Sequence, residues 1–276
     1  MTTQTINAQS VTATARWTAA VRAQESSRED ALFVDPWAAA LAGAAGMDWL
    51  AQRPQGSGLP MALRTRYFDD FLLRVCGAGG IRQVVLLAAG LDTRAYRLPW
   101  LAGTQLYELD KAEVLDCKAA VLAQAGAQPT CVRTAITADL TAPWAGALIA
   151  AGFDAREPAV WLLEGLLFYL PAPQIIQLLD ALTPLSAPGS WLGFDIINAA
   201  VFTSPWTRPW VEMQAEQGAP WIGSMDDPVG LLAERGWRAT LTQAGAPDAH
   251  YGRWTLPVIP VAAPAMPHNW YVTAKR

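Results

Sequence analysis

Residues Val84-Val85-Leu86-Leu87-Ala88-Ala89-Gly90-Leu91-Asp92 decide the fold. An apolar run that follows Gln83 and closes on Gly90 predicts a strand over Ile81–Ala89, buried on both faces as parallel sheets require. In doubly wound folds a ligand sits at the carboxyl ends of the strands, at the switch point after the first strand. A small-small-glycine turn lets backbone N–H groups approach such a ligand without a Cβ in the way. The same turn also suits tight packing with no ligand, and both readings stand on this stretch alone.

Outward from it, strands and helices alternate, the signature of βαβ units. Thr104–Leu109 reads as a second strand. Lys111–Ala125 reads as a helix with apolar positions at 112, 115, 119 and 122, ended by Gly126. Thr130–Ile136, Ala159–Leu163 and Ser190–Ile197 are further strands. The Ile175/Ile176/Leu179/Leu182 face marks a helix over Pro173–Leu185. Trp237–Gln243 and Asn269–Ala274 are read as an antiparallel return to the sheet. The flanks differ: Thr12–Glu25, Asp35–Ala45 and Met61–Cys76 are read as helices, and 199–235 is a Trp- and Pro-rich stretch that breaks the rhythm. The expected architecture is a mostly parallel α/β sheet with helices on both faces, within 81–276. A helical N-terminal cover over 1–80 and a helical insertion at about 199–235 complete it.

Asp110 stands 20 residues after Gly90, just past the second strand. A carboxylate there accepts both hydroxyls of a ribose; Asp is also a good N-cap for the helix from Lys111, and the two roles are compatible. The turn reads Ala88-Ala89-Gly90, not Gly-x-Gly-x-x-Gly, so the helix start is not cleared for a pyrophosphate. That disfavours NAD and FAD and favours a nucleoside cofactor lacking phosphate, of which S-adenosylmethionine is the obvious one.

Composition closes other routes. The 276 residues are 52% hydrophobic and 16% charged, which implies a large core and excludes disorder as the main state. A net charge of −4 argues against nucleic acid as a partner. The longest apolar runs fall well short of the ~20 residues of a membrane helix, and the polar start, 1–10, shows no targeting signal. Three cysteines without a CxxC pair suit reduced thiols in a cytoplasmic protein. Two histidines, His250 and His268, leave little material for a metal site or a Ser-His hydrolase, and none is expected. Nothing in the sequence sets the oligomeric state.

Gly90-Leu91-Asp92-Thr93-Arg94-Ala95-Tyr96-Arg97-Leu98 resembles the "GLDTRAYRL" signature of the leucine carboxyl methyltransferase-like family. Thr12–Arg22 with Asp35-Pro36-Trp37-Ala38 resembles its N-terminal segment, and Arg64-Thr65-Arg66-Tyr67-Phe68-Asp69 its "RTRFFD" helix. Glu108-Leu109-Asp110 with Lys118, Asp139-Leu140, Glu164-Gly165-Leu166 and Leu170-Pro171 follow in the family's order. The resemblance implies a class I, Rossmann-like, S-adenosylmethionine-dependent O-methyltransferase yielding S-adenosylhomocysteine. It assigns Arg64 to the cofactor's carboxylate, Ala88 and Gly90 to its backbone site, and Asp110 to the ribose. Asp139 and Leu140 fall to the adenine and Glu164 to the methionine portion. Ala88 departs from the glycine common at that position.

Each assignment has a bland counterpart. Arg64 suits an exposed helix charge, Asp92 with Arg94 a local ion pair, Asp139-Leu140 a helix cap, and Tyr169 plain packing. Glu164 ends an apolar strand, where an unpaired buried charge is costly, so its position argues for a role.

A carboxylic acid acceptor, with a pKa near ~4, needs no base, whereas a phenol near ~10 does. The scarcity of histidine favours a carboxyl acceptor and no dedicated catalytic base, with His250 as the candidate if one acts. Trp206, Trp210 and Trp221 of the insertion and Trp254, with Trp17 and Trp37, suit the stacking of a flat aromatic substrate, and Arg253 or Arg208 the pairing of its carboxylate. The short layout resembles bacterial polyketide carboxyl methyltransferases of the tetracenomycin type. The Arg-rich, Lys-poor composition of a GC-rich bacterial genome favours a small-molecule carboxylic acid. A phenol or enol methyltransferase and a non-catalytic cofactor-binding protein are the rival readings.

Overall fold

The computed structural model describes residues 8–54, 56–263 and 265–276. The start of the polar N-terminal stretch lies outside them. Along the chain run α1 (Ala8–Ser26), α2 (Ala38–Ala51), α3 (Leu59–Gly79), β1 (Gln83–Leu87), α4 (Arg94–Arg97), β2 (Gln105–Asp110) and α5 (Ala112–Gln124). Then follow β3 (Val132–Thr137), α6 (Ala145–Ala150), β4 (Ala159–Leu163), α7 (Ala172–Leu182) and β5 (Trp191–Ile197). The last part holds α8 (Ala200–Thr203), α9 (Arg208–Glu216), α10 (Pro228–Ala233), β6 (Arg238–Gln243) and β7 (Asn269–Lys275).

The seven strands form one sheet in the order β3-β2-β1-β4-β5-β7-β6. β1 pairs in parallel with β2 and β4, β2 with β3, and β4 with β5. β7 runs antiparallel to both β5 and β6. The order reverses at β1 and β4, so the carboxyl ends of these strands open a crevice, the ligand position of doubly wound sheets.

The two-residue period of the strands builds a core on each face. Val84 and Leu86 of β1 and Val160 and Leu162 of β4 pack with Phe68, Phe71 and Leu72 of α3. Val85, Leu87, Trp161 and Leu163 point the other way, against Leu148 of α6 and Ile175, Leu178 and Leu182 of α7. Burying such a side chain contributes roughly 1.5–3 kcal/mol. The approach on the α3 face is close: a Cβ at Gly193 would lie 2.8 Å from the Phe71 ring.

Three element expectations shift. α3 packs on the sheet, so the layer of helices starts before residue 81. The helix expected from Asp35 begins at Ala38 because the Asp35 carboxylate is held elsewhere, by Arg22 Nε at 2.8 Å, Thr93 Oγ1 at 2.6 Å and the Trp37 N–H at 3.1 Å. Within 199–235, α10 buries Leu232 in the same core as Trp237 and packs on β6, so it covers the sheet. α8 and α9 remain as the part that departs from the strand–helix rhythm. Among the described residues no helix is long and apolar enough to cross a membrane.

Candidate active site

A cavity of about 970 Å³ opens over the carboxyl ends of β1, β2, β4 and β5. That is the upper end of the ~300–1,000 Å³ of small-molecule sites, room for a nucleoside and an acceptor together. Arg64, Ala88, Gly90, Asp110, Asp139, Leu140 and Glu164 all line it, brought together from five stretches of chain. Trp206, Trp210 and Trp254 line it as well.

The turn after β1 is tight: the Asp92 N–H donates to the Ala89 carbonyl at 2.9 Å, and the Ala89 N–H to Leu109 of β2 at 3.1 Å. Gly90 has φ 50° and Ala88 φ 53°, both left-handed. Ala88 therefore occupies a glycine conformation with a Cβ in place, at a cost of order 1–2 kcal/mol. Ala88→Gly is expected to stabilise the protein by about 0.5–1 kcal/mol, the relief being partly offset by the entropy of an unfolded glycine. A rise in the urea midpoint checks this, and a fall would mean that the alanine methyl makes contacts worth more than the strain.

Asp110 ends β2 and is 8% exposed. Its Oδ2 accepts the Gly90 N–H at 2.6 Å and its Oδ1 the Lys111 N–H at 2.7 Å. The N-cap position of α5 falls on Lys111, so the capping role read for Asp110 does not hold; its carboxylate turns toward the Gly90 turn instead. A carboxylate offers about four acceptor positions, and two remain, matching the two hydroxyls of a ribose. Burial pushes the Asp110 carboxyl above its ordinary range, against the two N–H bonds that pull it down.

Under the turn lies a buried charge network. Arg94, 2% exposed, pairs with Asp69 at 2.7 Å, Asp92 at 2.5 Å and Glu164 at 2.7 Å. Arg97 pairs with Asp69 at 2.6 Å. Arg64 pairs with Glu164 at 2.9 Å and with Asp195 at 2.7 Å. Burial opposes the charge on Arg64, but the Asp195 and Glu164 carboxylates outweigh it and hold its pKa above normal. Burial likewise raises Glu164, and the Arg94 and Arg64 guanidinia outweigh that and hold it below the usual carboxylate range. Asp195 stays above its usual range because burial exceeds its pairing with Arg64. Asp195 Oδ1 also accepts the N–H of Gly165 at 2.6 Å. Gly165 sits at φ 69°, where an added Cβ would meet Arg64 Nη2 at 3.2 Å. Arg64 is thus no exposed helix charge: its Nε and Nη1 are fixed on two acids at the crevice floor. The Asp92–Arg94 pair is present, but as one branch of a larger network.

Asp139 lies exposed at the cavity edge, with Oδ1 accepting from Thr141 N at 2.9 Å and Thr141 Oγ1 at 2.7 Å. Those bonds hold its carboxyl below the ordinary range. α6 begins at Ala145, so Asp139 organises the turn before that helix and does not cap it.

His250 and Arg253 do not join the site. His250 is exposed, and its Nδ1 accepts the Gly252 N–H at 2.8 Å within a turn. Arg253 pairs with Glu25 of α1 at 3.2 Å, a buried carboxylate that needs a counter-charge, and lines a separate hollow of about 250 Å³. Arg208 pairs with the exposed Glu212 at 3.4 Å. Trp37 packs in the α1–α2 core and stands apart from the cavity lining.

Trp17 and Trp221, expected to stack on a flat substrate, line the cavity, whereas Asp195, which anchors Arg64, and His268, which lines the cavity, were not read as site residues. A carboxylate inside the apolar run 190–197 was the available signal for Asp195, by the argument already applied to Glu164. Trp17 and Trp210 approach with ring centroids 5.7 Å apart, and Trp210 and Trp221 at 6.4 Å. The indole N–H groups of Trp17 and Trp254 have no hydrogen-bond partner among the described residues. His268 has Nδ1 3.0 Å from Gln243 Oε1 and Nε2 3.5 Å from the Ala263 carbonyl.

The sheet order, the β1 turn and the carboxylate at the end of β2 together define a class I S-adenosylmethionine-dependent methyltransferase. The family model for leucine carboxyl methyltransferase matches residues 15–183, and the chain belongs to that family. A Mycobacterium avium protein assigned as an S-adenosyl-L-methionine-dependent methyltransferase is 43% identical over 254 residues, 84% of each chain. One from Streptomyces avermitilis with the same assignment is 41% identical over 260 residues, 88% of each. Among solved structures, a methyltransferase from Thermobifida fusca superposes with a TM-score of 0.63 over 95% of this chain and 94% of its own. At 17% identity that likeness concerns the fold. The cofactor is S-adenosylmethionine.

Proposed function

We propose that this methyltransferase transfers the methyl group to a carboxylate oxygen of a small aromatic or polyketide-type acid, giving a methyl ester. The observation that carries the reading is the state of the cavity's acids and imidazole. Glu164 is committed to Arg64 and Arg94, Asp92 to Arg94, Asp110 and Asp139 to the cofactor in this reading, and both nitrogens of His268 face acceptors. An acceptor that is already ionised at neutral pH needs none of them as a base. The unpartnered N–H groups of Trp17 and Trp254 suit an aromatic body that carries oxygen atoms.

S-adenosylmethionine supplies an electrophilic methyl on a sulfonium, displaced in line. In this reading Asp110 accepts the ribose hydroxyls and the Ala88–Gly90 turn presents backbone to the cofactor. Leu140 packs on the adenine, Asp139 accepts from its exocyclic amine, and Arg64 and Glu164 hold the methionine end. The apolar walls exclude water and align the acceptor, so that geometry supplies much of the rate. Trp210 and Trp206 belong to the acceptor side.

The rate of transfer to the acceptor is expected to stay flat from about pH 6 to 9, because a carboxylic acid near ~4 is ionised throughout. A pH–rate profile on the cofactor-saturated enzyme checks this. A decline toward the acid side of that window would point to a base and a hydroxyl acceptor.

A further inference from the structure

The mouth of the cavity is apolar on its outer surface. Trp206 is 73% exposed, Ile222 49% and Val258 40%, and all three also line the cavity. Leu256 and Val261, in the same segment as Val258, are exposed as well. The segment 255–267 between β6 and β7 contains no charged residue and four prolines, Pro257, Pro260, Pro264 and Pro267. On the α8–α9 side, 199–207 and 217–225 are likewise uncharged. A solvated loop of this length ordinarily carries charge, and clustered exposed apolar side chains beside a cavity mark a binding groove. Proline fixes φ, so Pro257 and Pro260 restrain the backbone that carries Leu256, Val258 and Val261 and lower the ordering cost on binding.

We propose that the acceptor is longer than the cavity is deep: an acid whose carboxylate lies inside and whose apolar body runs out through the mouth. There it lies against Trp206 and Ile222 and against Leu256, Val258 and Val261. This rests on the carboxyl reading for the inner end only. Continuity carries the assignment, since Trp206, Ile222 and Val258 belong to the cavity wall and to the exposed rim at once.

The test uses 4-alkylbenzoic acids with tails from methyl to dodecyl, and the matching 4-alkylphenols, with the full chain and labelled S-adenosylmethionine. Specificity, kcat/KM, is expected to rise by about fourfold for each methylene that the rim buries. In the Leu256→Ser/Val261→Ser and Trp206→Ser variants, the ratio of dodecyl to methyl specificity is expected to fall at least tenfold. Calorimetric binding of 4-dodecylbenzoic acid to protein loaded with S-adenosylhomocysteine should weaken in the same variants. A specificity that is flat with tail length, or rim variants that leave the ratio unchanged, would overturn the proposal. If the phenols are methylated and the acids are not, the carboxyl reading fails, and the phenol series decides the rim by the same ratio. Cosedimentation with phosphatidylcholine vesicles that the variants abolish, without tail-length dependence, would make the rim a lipid-surface contact and also overturn it.

Discussion

Arg94→Leu is expected to destabilise the protein by about 3–5 kcal/mol, the cost of stranding a buried charge. Arg94 holds three carboxylates, and its loss falls on them unequally. Asp69 keeps Arg97 and Glu164 keeps Arg64, but Asp92 loses the side-chain partner at 2.5 Å. For a domain of this size that corresponds to a fall in melting temperature on the order of 10 °C. Arg94→Lys keeps the charge but not the fork that spans three acids, so it should fall between the two. The pH dependence has a definite sign. In the native protein burial would raise Asp92 and Glu164, but the surrounding cations, Arg94 foremost, with Lys118 and Arg97 at Asp92 and Arg64 at Glu164, outweigh it and hold both below their ordinary range. Their contribution to stability is therefore present above the unfolded values near ~4 and is lost as pH falls through the lower, folded ones. In the variant the stranded carboxylates protonate earlier, which relieves the cost, so the gap between the two proteins should narrow below about pH 4. A gap that stays constant with pH would mean that lost packing, not charge, sets the effect. Urea titrations at several pH values decide this.

The second large effect concerns the cofactor. Asp110→Ala is expected to abolish measurable S-adenosylmethionine binding, with a much smaller loss of stability than Arg94→Leu. The reason is local: the Asp110 side chain accepts two backbone N–H groups at the turn, Gly90 and Lys111, and removing it leaves no stranded arginine. Two hydrogen bonds to a charged acceptor are worth roughly 1.5–3 kcal/mol each, enough to reduce affinity by several hundredfold or more. Burial lifts the Asp110 carboxyl above the ordinary aspartate range, so affinity should begin to weaken on acidification before a solvent-exposed aspartate would titrate. Calorimetry with S-adenosylhomocysteine reads both effects. Affinity retained in the variant would move the ribose elsewhere.

The parts of this architecture that the sequence carried openly are those where burial acts on consecutive residues. β1 and β4 are buried at every position, so each reads as an unbroken apolar run. Asp110 and Glu164 were visible because each places a charge at the end of such a run. Asp195 follows the same logic but lies inside its strand, where its partner Arg64 is 131 residues away. Arg253 shows the limit from the other side. A guanidinium in an aromatic loop suited a substrate carboxylate, yet Glu25, 228 residues earlier, is buried and takes it. The 244–268 segment carries no helical or strand period, so apart from Trp254 the side chains it brings to the cavity, Val258 and His268 among them, emerge only from the fold. His250 failed for a similar reason, since a turn of its own backbone claims its ring nitrogen.

In the function proposed above, the methyl group goes to a carboxylate. The most direct test offers the enzyme hydroxyaryl carboxylic acids, which present both acceptors in one molecule, with methyl-labelled S-adenosylmethionine. The product is then treated with mild alkali. Release of the label as methanol is the predicted result, because a methyl ester is cleaved by base. Label that stays on the product through alkali would be a methyl ether and would contradict the claim.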